Sequence, residues 1–181
     1  METERQLLDA ILGGESQAMR RLYDRFSGYT MAIALRYVPD RDDVRDVLQD
    51  SFVSVLTSIR QFDYRGEGSL KSWVARIVAN RALDWVKEHE RVTMIPDIPE
   101  EAIDDGVPDV DEVPPDILDQ MIGRLPAGCR MVLNLYVFGQ LSHKQIAQQL
   151  GIRETSSASQ FFHAKKLLRE MISEYLNSQK R

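Results

Sequence analysis

Three sets of side chains have the types and spacing to bind a partner. The first is Thr155, Ser156, Ser157, Ser159 and Gln160, at the head of the run TSSASQFFHAKKLLREM, with Arg153 just before it and His163, Lys165 and Lys166 further along. Hydroxyls and carboxamides of this size reach base edges in a major groove, a helix start receives a phosphate, and cations further along track the nucleic-acid backbone. The second set lies in FDYRGEGSLKSW, where Tyr64 and Arg65 stand beside Gly66 and Gly68, followed by Arg76, Asn80 and Arg81. An aromatic face with a cation next to it is a platform for unpaired bases. The third is Arg45, Asp46, Gln49 and Asp50, spaced to share one helix face. Catalysis finds no such constellation: His89, His143 and His163 are far apart, and Cys129 has no metal-ligand or dyad spacing around it. No cofactor or metal is expected.

Each set also has a plainer reading. Thr155 or Ser156 caps a helix, the lysines are solvated, Tyr64 plugs the core, and the polar face of the third set meets only water. The elements that carry the residues decide between these readings.

Those elements are helices almost throughout, with Tyr64 to Gly68 on a turn or short loop whose glycines permit positive φ. In 16–38, Leu22, Phe26, Tyr29, Ile33 and Tyr37 recur every three to four residues and predict one buried stripe, which Pro39 ends. Asp40 is placed to cap a second helix with Val44, Val47, Leu48, Val55, Leu56 and Ile59 inward. Ser69 is placed to cap a third, with Trp73, Ile77, Leu83 and Val86 for the core. Toward the C-terminus, LPAGCRMVLNLYVFGQ forms a short core helix using Val132, Leu133, Leu135, Tyr136 and Phe138, ended by Gly139. SHKQIAQQLG follows with Ser142 and Gln145 as a capping box, Ile146, Ala147, Leu150 and Ile152 inward, and Gly151 as the stop. A further helix begins near Thr155 after a few residues, which is the spacing of a helix-turn-helix unit.

Charge divides the chain as the elements do. The formal net charge of -5 averages a near-neutral stretch, an acidic one and a basic one. Residues 92–120 hold ten acids, no Lys or Arg and five of the seven prolines, whereas 121–181 hold nine bases against three acids. The middle stretch reads as a linker, either a solvated spacer or an acidic strand for a channel that attracts nucleic acid, with the next helix starting from Pro114. The expected organisation is all-α, with helical domains at 1–91 and 114–181 and an acidic Pro-rich linker at 92–113. One cysteine excludes an intrachain disulfide, the N-terminus lacks a secretory apolar core, and no apolar run is long enough to span a bilayer. A cytoplasmic protein without membrane insertion is expected.

The run VRDVLQDSFVSVLTSIRQFDYRGEGSLKSWVARIVANRALDWV, residues 44–86, closely resembles the polymerase- and promoter-binding region of extracytoplasmic-function sigma factors of the sigma-70 family. The segment 121–171 is similar to the minus-thirty-five-reading domain of the same family. The resemblance implies a bacterial factor that binds core RNA polymerase, recognises promoter DNA and catalyses nothing itself. It implies that Arg45, Asp46, Gln49, Asp50 and Phe52 dock on polymerase, and that Tyr64, Arg65, Gly66, Arg76, Asn80 and Arg81 capture bases of the minus-ten element, while Trp73 and Asp84 are mainly architectural. Arg153, Thr155, Ser156, Ser157, Ser159, Gln160, His163, Lys165 and Lys166 would face the minus-thirty-five element. An anti-sigma partner is implied as well. Two departures stand out: Lys87, Glu88, His89, Glu90 and Arg91 replace a basic cluster, and Ser157 replaces an apolar residue that packs on the preceding helix, so that either Phe161 supplies the packing or the helix is seated a little differently.

Overall fold

The computed structural model describes residues 2–96 and 110–179. Among them the secondary structure is helical: α1 Glu4–Leu12, α2 Ala18–Tyr37, α3 Arg41–Ser58, a 3-10 turn at Ile59–Gln61, α4 Ser69–His89, α5 Pro115–Gly123, α6 Ala127–Val137, α7 His143–Leu150 and α8 Glu154–Gln179. The chain forms two helical clusters, Met1–Trp85 and Val86–Arg181, and the division falls inside α4. The possible acidic-strand role of the linker falls mostly on residues 97–109, outside the described residues.

In the first cluster α1 to α4 bury Leu7, Leu22, Val44, Val55, Leu70 and Val74 completely or nearly so. Asp40 caps α3 as expected, its carboxylate accepting from the Asp42 and Asp43 amides at 2.8 and 3.2 Å. The stripe of α2 differs from the sequence reading at Tyr29, which is 44 % exposed and carries the Lys71 ammonium 4.2 Å from its ring centroid. Thr30 takes the inward place, fully buried because its hydroxyl donates to the Phe26 carbonyl at 2.9 Å. On α4 the buried positions are Leu70, Val74, Val78 and Ala82, with Leu83 and Val86, so Trp73 and Ile77 flank the core instead of filling it. Trp73 packs on Phe62, ring centroids 4.9 Å apart.

The second cluster is built on Met121, Ile122, Leu125, Cys129 and Leu133 of α5, the following turn and α6, against Ala164, Leu168 and Ile172 of α8. The four-residue spacing on α8 keeps these side chains on one line. Tyr136 and Phe138 are 39 % and 46 % exposed, so α6 buries fewer aromatics than its periodicity suggests. The helix stops at Val137. A Cβ at Gly139 would stand 2.6 Å from the Leu135 carbonyl oxygen, which requires glycine there. The capping box of Ser142 and Gln145 is present, and Gly151 ends α7 at φ 68°, the left-handed turn that leads to α8 within three residues.

Candidate nucleic-acid and protein interfaces

Arg45, Asp46, Gln49 and Asp50 are exposed on α3, as their spacing requires, while Val44, Val47 and Leu48 hold the opposite side in the core. Phe52 belongs to that inner side: it is 6 % exposed and packs on Tyr23 with ring centroids 4.9 Å apart. Arg45 pairs with Asp42 at 2.5 Å. Asp50 accepts from Arg81 of α4 at 2.7 Å, so one member of the α3 face is bonded to one member of the second set. Arg76 and Asn80 are exposed on the same helix as Arg81.

The loop between the 3-10 turn and α4 holds Gly66 at φ 112° and Gly68 at φ 91°, conformations that an L side chain resists. Tyr64 is half-buried and Arg65 exposed, with Arg65 Nε on Asp63 at 3.2 Å. The Arg5 guanidinium lies 5.5 Å from the Tyr64 ring centroid, and the Tyr64 hydroxyl is 3.4 Å from Glu67 Oε2. Partial desolvation, with the Glu67 carboxylate nearby, raises the phenol above its ordinary pKa.

Ser69 does not cap α4. Its hydroxyl donates to the Gly66 carbonyl at 2.6 Å and accepts from the Arg65 amide at 3.2 Å, bracing the loop. The cap comes from α1 instead: Glu4, only 2 % exposed, accepts from the amides of Gly68 and Leu70 at 2.8 and 3.0 Å through Oε2 and of Lys71 at 3.2 Å through Oε1. Glu67 in turn accepts from the Glu4 amide at 3.1 Å. Sequence reasoning missed both carboxylates. The only local signal was the Thr3–Gln6 capping box, which starts α1 at Glu4.

On α8 the third group divides by exposure. Arg153 and Thr155 are exposed, His163 and Lys165 half-buried, and Lys166 exposed. Ser156, Ser157, Ser159 and Gln160 are buried, at 8 %, 0 %, 2 % and 0 % exposure. Ser157 Oγ lies 2.9 Å from His143 Nδ1, so a polar bond joins α7 and α8 where an apolar contact was expected. Phe161 adds the aromatic packing, with ring centroids 4.4 Å from Tyr136 and 5.8 Å from His143. Burial lowers the pKa of His143, opposed by the charge of Glu154. Gln160 donates to the Ile95 carbonyl at 3.0 Å and lies 3.5 Å from Cys129 Sγ. Gly128 leaves room for this carboxamide: a Cβ there would be 3.1 Å from both Gln160 Oε1 and Met94 Sδ. Arg130, 3 % exposed, donates to the carbonyls of Gly123 and Leu125 at 3.1 and 2.8 Å and to the Glu90 carboxylate. Thus residues 90–95 are bonded into the second cluster through α6 and α8.

Among the described residues no group of His, Cys, Asp or Glu is arranged to hold a metal ion, and no helix is long and apolar enough to cross a membrane. The arrangement offers polar and aromatic contacts.

Comparison with known families matches residues 22–92 to Sigma-70 region 2 and residues 116–168 to Sigma-70, region 4. The ECF RNA polymerase sigma-E factor of Haemophilus influenzae is 26 % identical, the match covering 94 % of this chain and 95 % of that one. The RNA polymerase sigma-H factor of Pseudomonas aeruginosa is 24 % identical over 92 % of each chain. The RNA polymerase sigma factor SigV of Bacillus subtilis is 25 % identical over 76 % of this chain and 80 % of that protein.

Proposed function

We propose that, because the chain belongs to the sigma-70 family of RNA polymerase sigma factors and to its extracytoplasmic-function branch, its two helical clusters divide promoter recognition between them. The protein binds core RNA polymerase and promoter DNA and directs transcription initiation, with no chemical catalysis of its own. What carries the assignment is the order of the two matched regions, each falling mainly on a separate helical cluster.

Within that function the exposed α3 face of Arg45, Asp46, Gln49 and Asp50 is the polymerase contact, supported by its freedom from the core. The loop with Tyr64, Arg65 and Gly66, together with Arg76, Asn80 and Arg81, receives unpaired minus-ten bases; the half-buried aromatic beside a cation supports this. The α7–turn–α8 unit acts as the helix-turn-helix for the minus-thirty-five element. There Arg153 and Thr155 approach the groove at the start of α8, His163, Lys165 and Lys166 follow the phosphates, and Ser157 joins the two helices. Ser156 and Ser159 contribute to reading only when their surroundings open, because they are buried in the free protein, whereas Gln160, bonded to the Ile95 carbonyl, holds the helix in place and reads no base.

The protein works in the bacterial cytoplasm, and an anti-sigma partner controls it. The sequence supports that control indirectly, since it carries no regulatory cysteine pair, and its relatives are named as sigma factors from bacteria. Reconstitution tests the whole reading. Purified core polymerase with this protein should open and transcribe from a promoter selected out of its native genome, and neither component alone should do so. Core-independent binding to the same promoter, with no gain in transcription, would reject it in favour of a DNA-binding regulator.

A further inference from the structure

We propose that Glu4 and Glu67 are positioning residues for promoter melting: each carboxylate caps the helix on which the other stands or abuts, and the pair fixes the loop that receives the unpaired base. The proposal rests on the minus-ten reading of that loop given above.

The geometry is reciprocal. Glu4 stands at the first position of α1 and satisfies amides of Gly68, Leu70 and Lys71 at the start of α4. Glu67 stands just before α4 and satisfies the Glu4 amide at the start of α1. Two helix starts would otherwise present unsatisfied N–H groups to each other, and a negative charge at each complements the helix dipole. Arg25 balances the pair, donating to Glu67 at 3.1 Å and to the Glu2 carbonyl at 2.8 Å.

A carboxylate at 2 % exposure is costly to bury unless its oxygens are fully engaged, so Glu4 specifies an acceptor site. An apolar side chain would serve packing alone but would orphan the three amides. The loop itself needs such an anchor, since two glycines at positive φ give it no intrinsic preference for one shape. Residues adjoining the pair already touch the base-capture group: Arg5 lies over Tyr64, and Glu67 is within 3.4 Å of its hydroxyl. A side chain at the start of the chain therefore sets where Tyr64 and Arg65 stand.

The test uses the full chain, alone and assembled with core polymerase, at a temperature where circular dichroism shows complete folding. Glu4→Gln removes the charge and one acceptor oxygen, Glu4→Asp keeps both on a shorter stem, and Glu67→Gln alters the exposed partner. Tyr64→Ala probes the loop directly. Three quantities are read: amide hydrogen exchange at Gly68, Leu70 and Lys71, affinity of the holoenzyme for a single-stranded minus-ten oligonucleotide, and affinity for core polymerase.

Glu4→Gln should speed exchange at the three amides and weaken oligonucleotide binding about tenfold, the equilibrium effect of losing one good helix cap, with polymerase affinity unchanged. Glu4→Asp should recover part of both, and Glu67→Gln should speed exchange at the Glu4 amide. Unchanged exchange in folded Glu4→Gln overturns the capping pair. Faster exchange with normal oligonucleotide binding overturns the positioning role when Tyr64→Ala does weaken binding. Equal losses for oligonucleotide and polymerase mean a general structural role and overturn it too. Normal binding by Tyr64→Ala removes the reading of the loop, and the positioning proposal falls with it.

Discussion

Gln160 shows how burial reassigns a side chain whose type suits base reading. Its amide nitrogen donates to Ile95 and its oxygen lies near Cys129, so in the free protein its polar atoms face protein. Gln160→Ala should therefore cost about 1–3 kcal/mol in stability, the range for leaving a buried partner unsatisfied, while the preferred upstream promoter sequence stays the same. Thermal unfolding and selection from randomised duplex with polymerase present measure the two effects. Arg153→Ala should do the reverse, shifting preference with little change in stability, because that side chain is exposed. His143 adds a pH dependence. Burial holds its folded pKa below 6.5, so on acidification the unfolded imidazole takes up a proton before the folded one does. Its stabilising contribution is complete above 6.5 and is lost as pH falls from there through the folded value. His143→Gln should flatten that part of the stability curve, read from denaturant midpoints at successive pH values.

At the scale of elements, caps made within a few residues were legible and caps made across the chain were not. Asp40 on α3, the Ser142–Gln145 box on α7 and Gly151 after it all satisfy groups next to them, so residue type and spacing suffice. Asp40→Ala should cost about 1 kcal/mol, a typical cap, and Gly151→Ala about 1–2 kcal/mol for forcing a Cβ into the left-handed region. Both are checked by urea midpoints of the full chain. Ser69 has the right type and place for a cap too, but Glu4 occupies the amides and the hydroxyl turns back into the loop. Nothing in the sequence pairs positions so far apart. The inward face of α4 was read only in its second half, where Leu83 and Val86 are buried as expected, and for another reason. Trp73 and Ile77 share the four-residue spacing of Val74 and Val78, so periodicity admits either stripe, and only the packing of Leu70, Val74, Val78 and Ala82 selects one.

For the whole molecule, the charge along the chain follows a division that the net value conceals. The basic excess lies in 121–181 and the exposed acids Asp46 and Asp50 lie on α3, so the proposed DNA and polymerase contacts should be separable by substitution. Asp46→Arg should reduce affinity for core polymerase while duplex binding by the free chain keeps its salt dependence. Lys166→Ala should leave polymerase affinity alone and reduce the salt slope of duplex binding by about 0.9. Titrations at several salt concentrations with each folded variant decide this, and a loss of both affinities in either one would reject the division of labour. The all-helical plan was legible because amphipathic periods are local signals, whereas the division of the chain falls inside α4, between Trp85 and Val86, before the acidic, Pro-rich stretch that suggested it. The attachment of residues 90–95 to the second cluster was not legible, because it depends on Arg130 and Gln160 meeting backbone and carboxylate groups brought near only by folding.

That attachment turns the single thiol into a clock. Cys129 is fully buried, burial pushes its pKa up to about 11, and Gln160, its polar neighbour, is held by Ile95. A maleimide can then modify it only in molecules where this part of the core has opened, at a rate set by the opening equilibrium multiplied by the reactivity of a free thiol. Labelling of the intact chain should be slow, and Gln160→Ala should quicken it before circular dichroism registers any loss of helix. The same reaction followed with polymerase and promoter bound would time, in a chain with no added probe, whether the grip on residue 95 loosens as transcription begins.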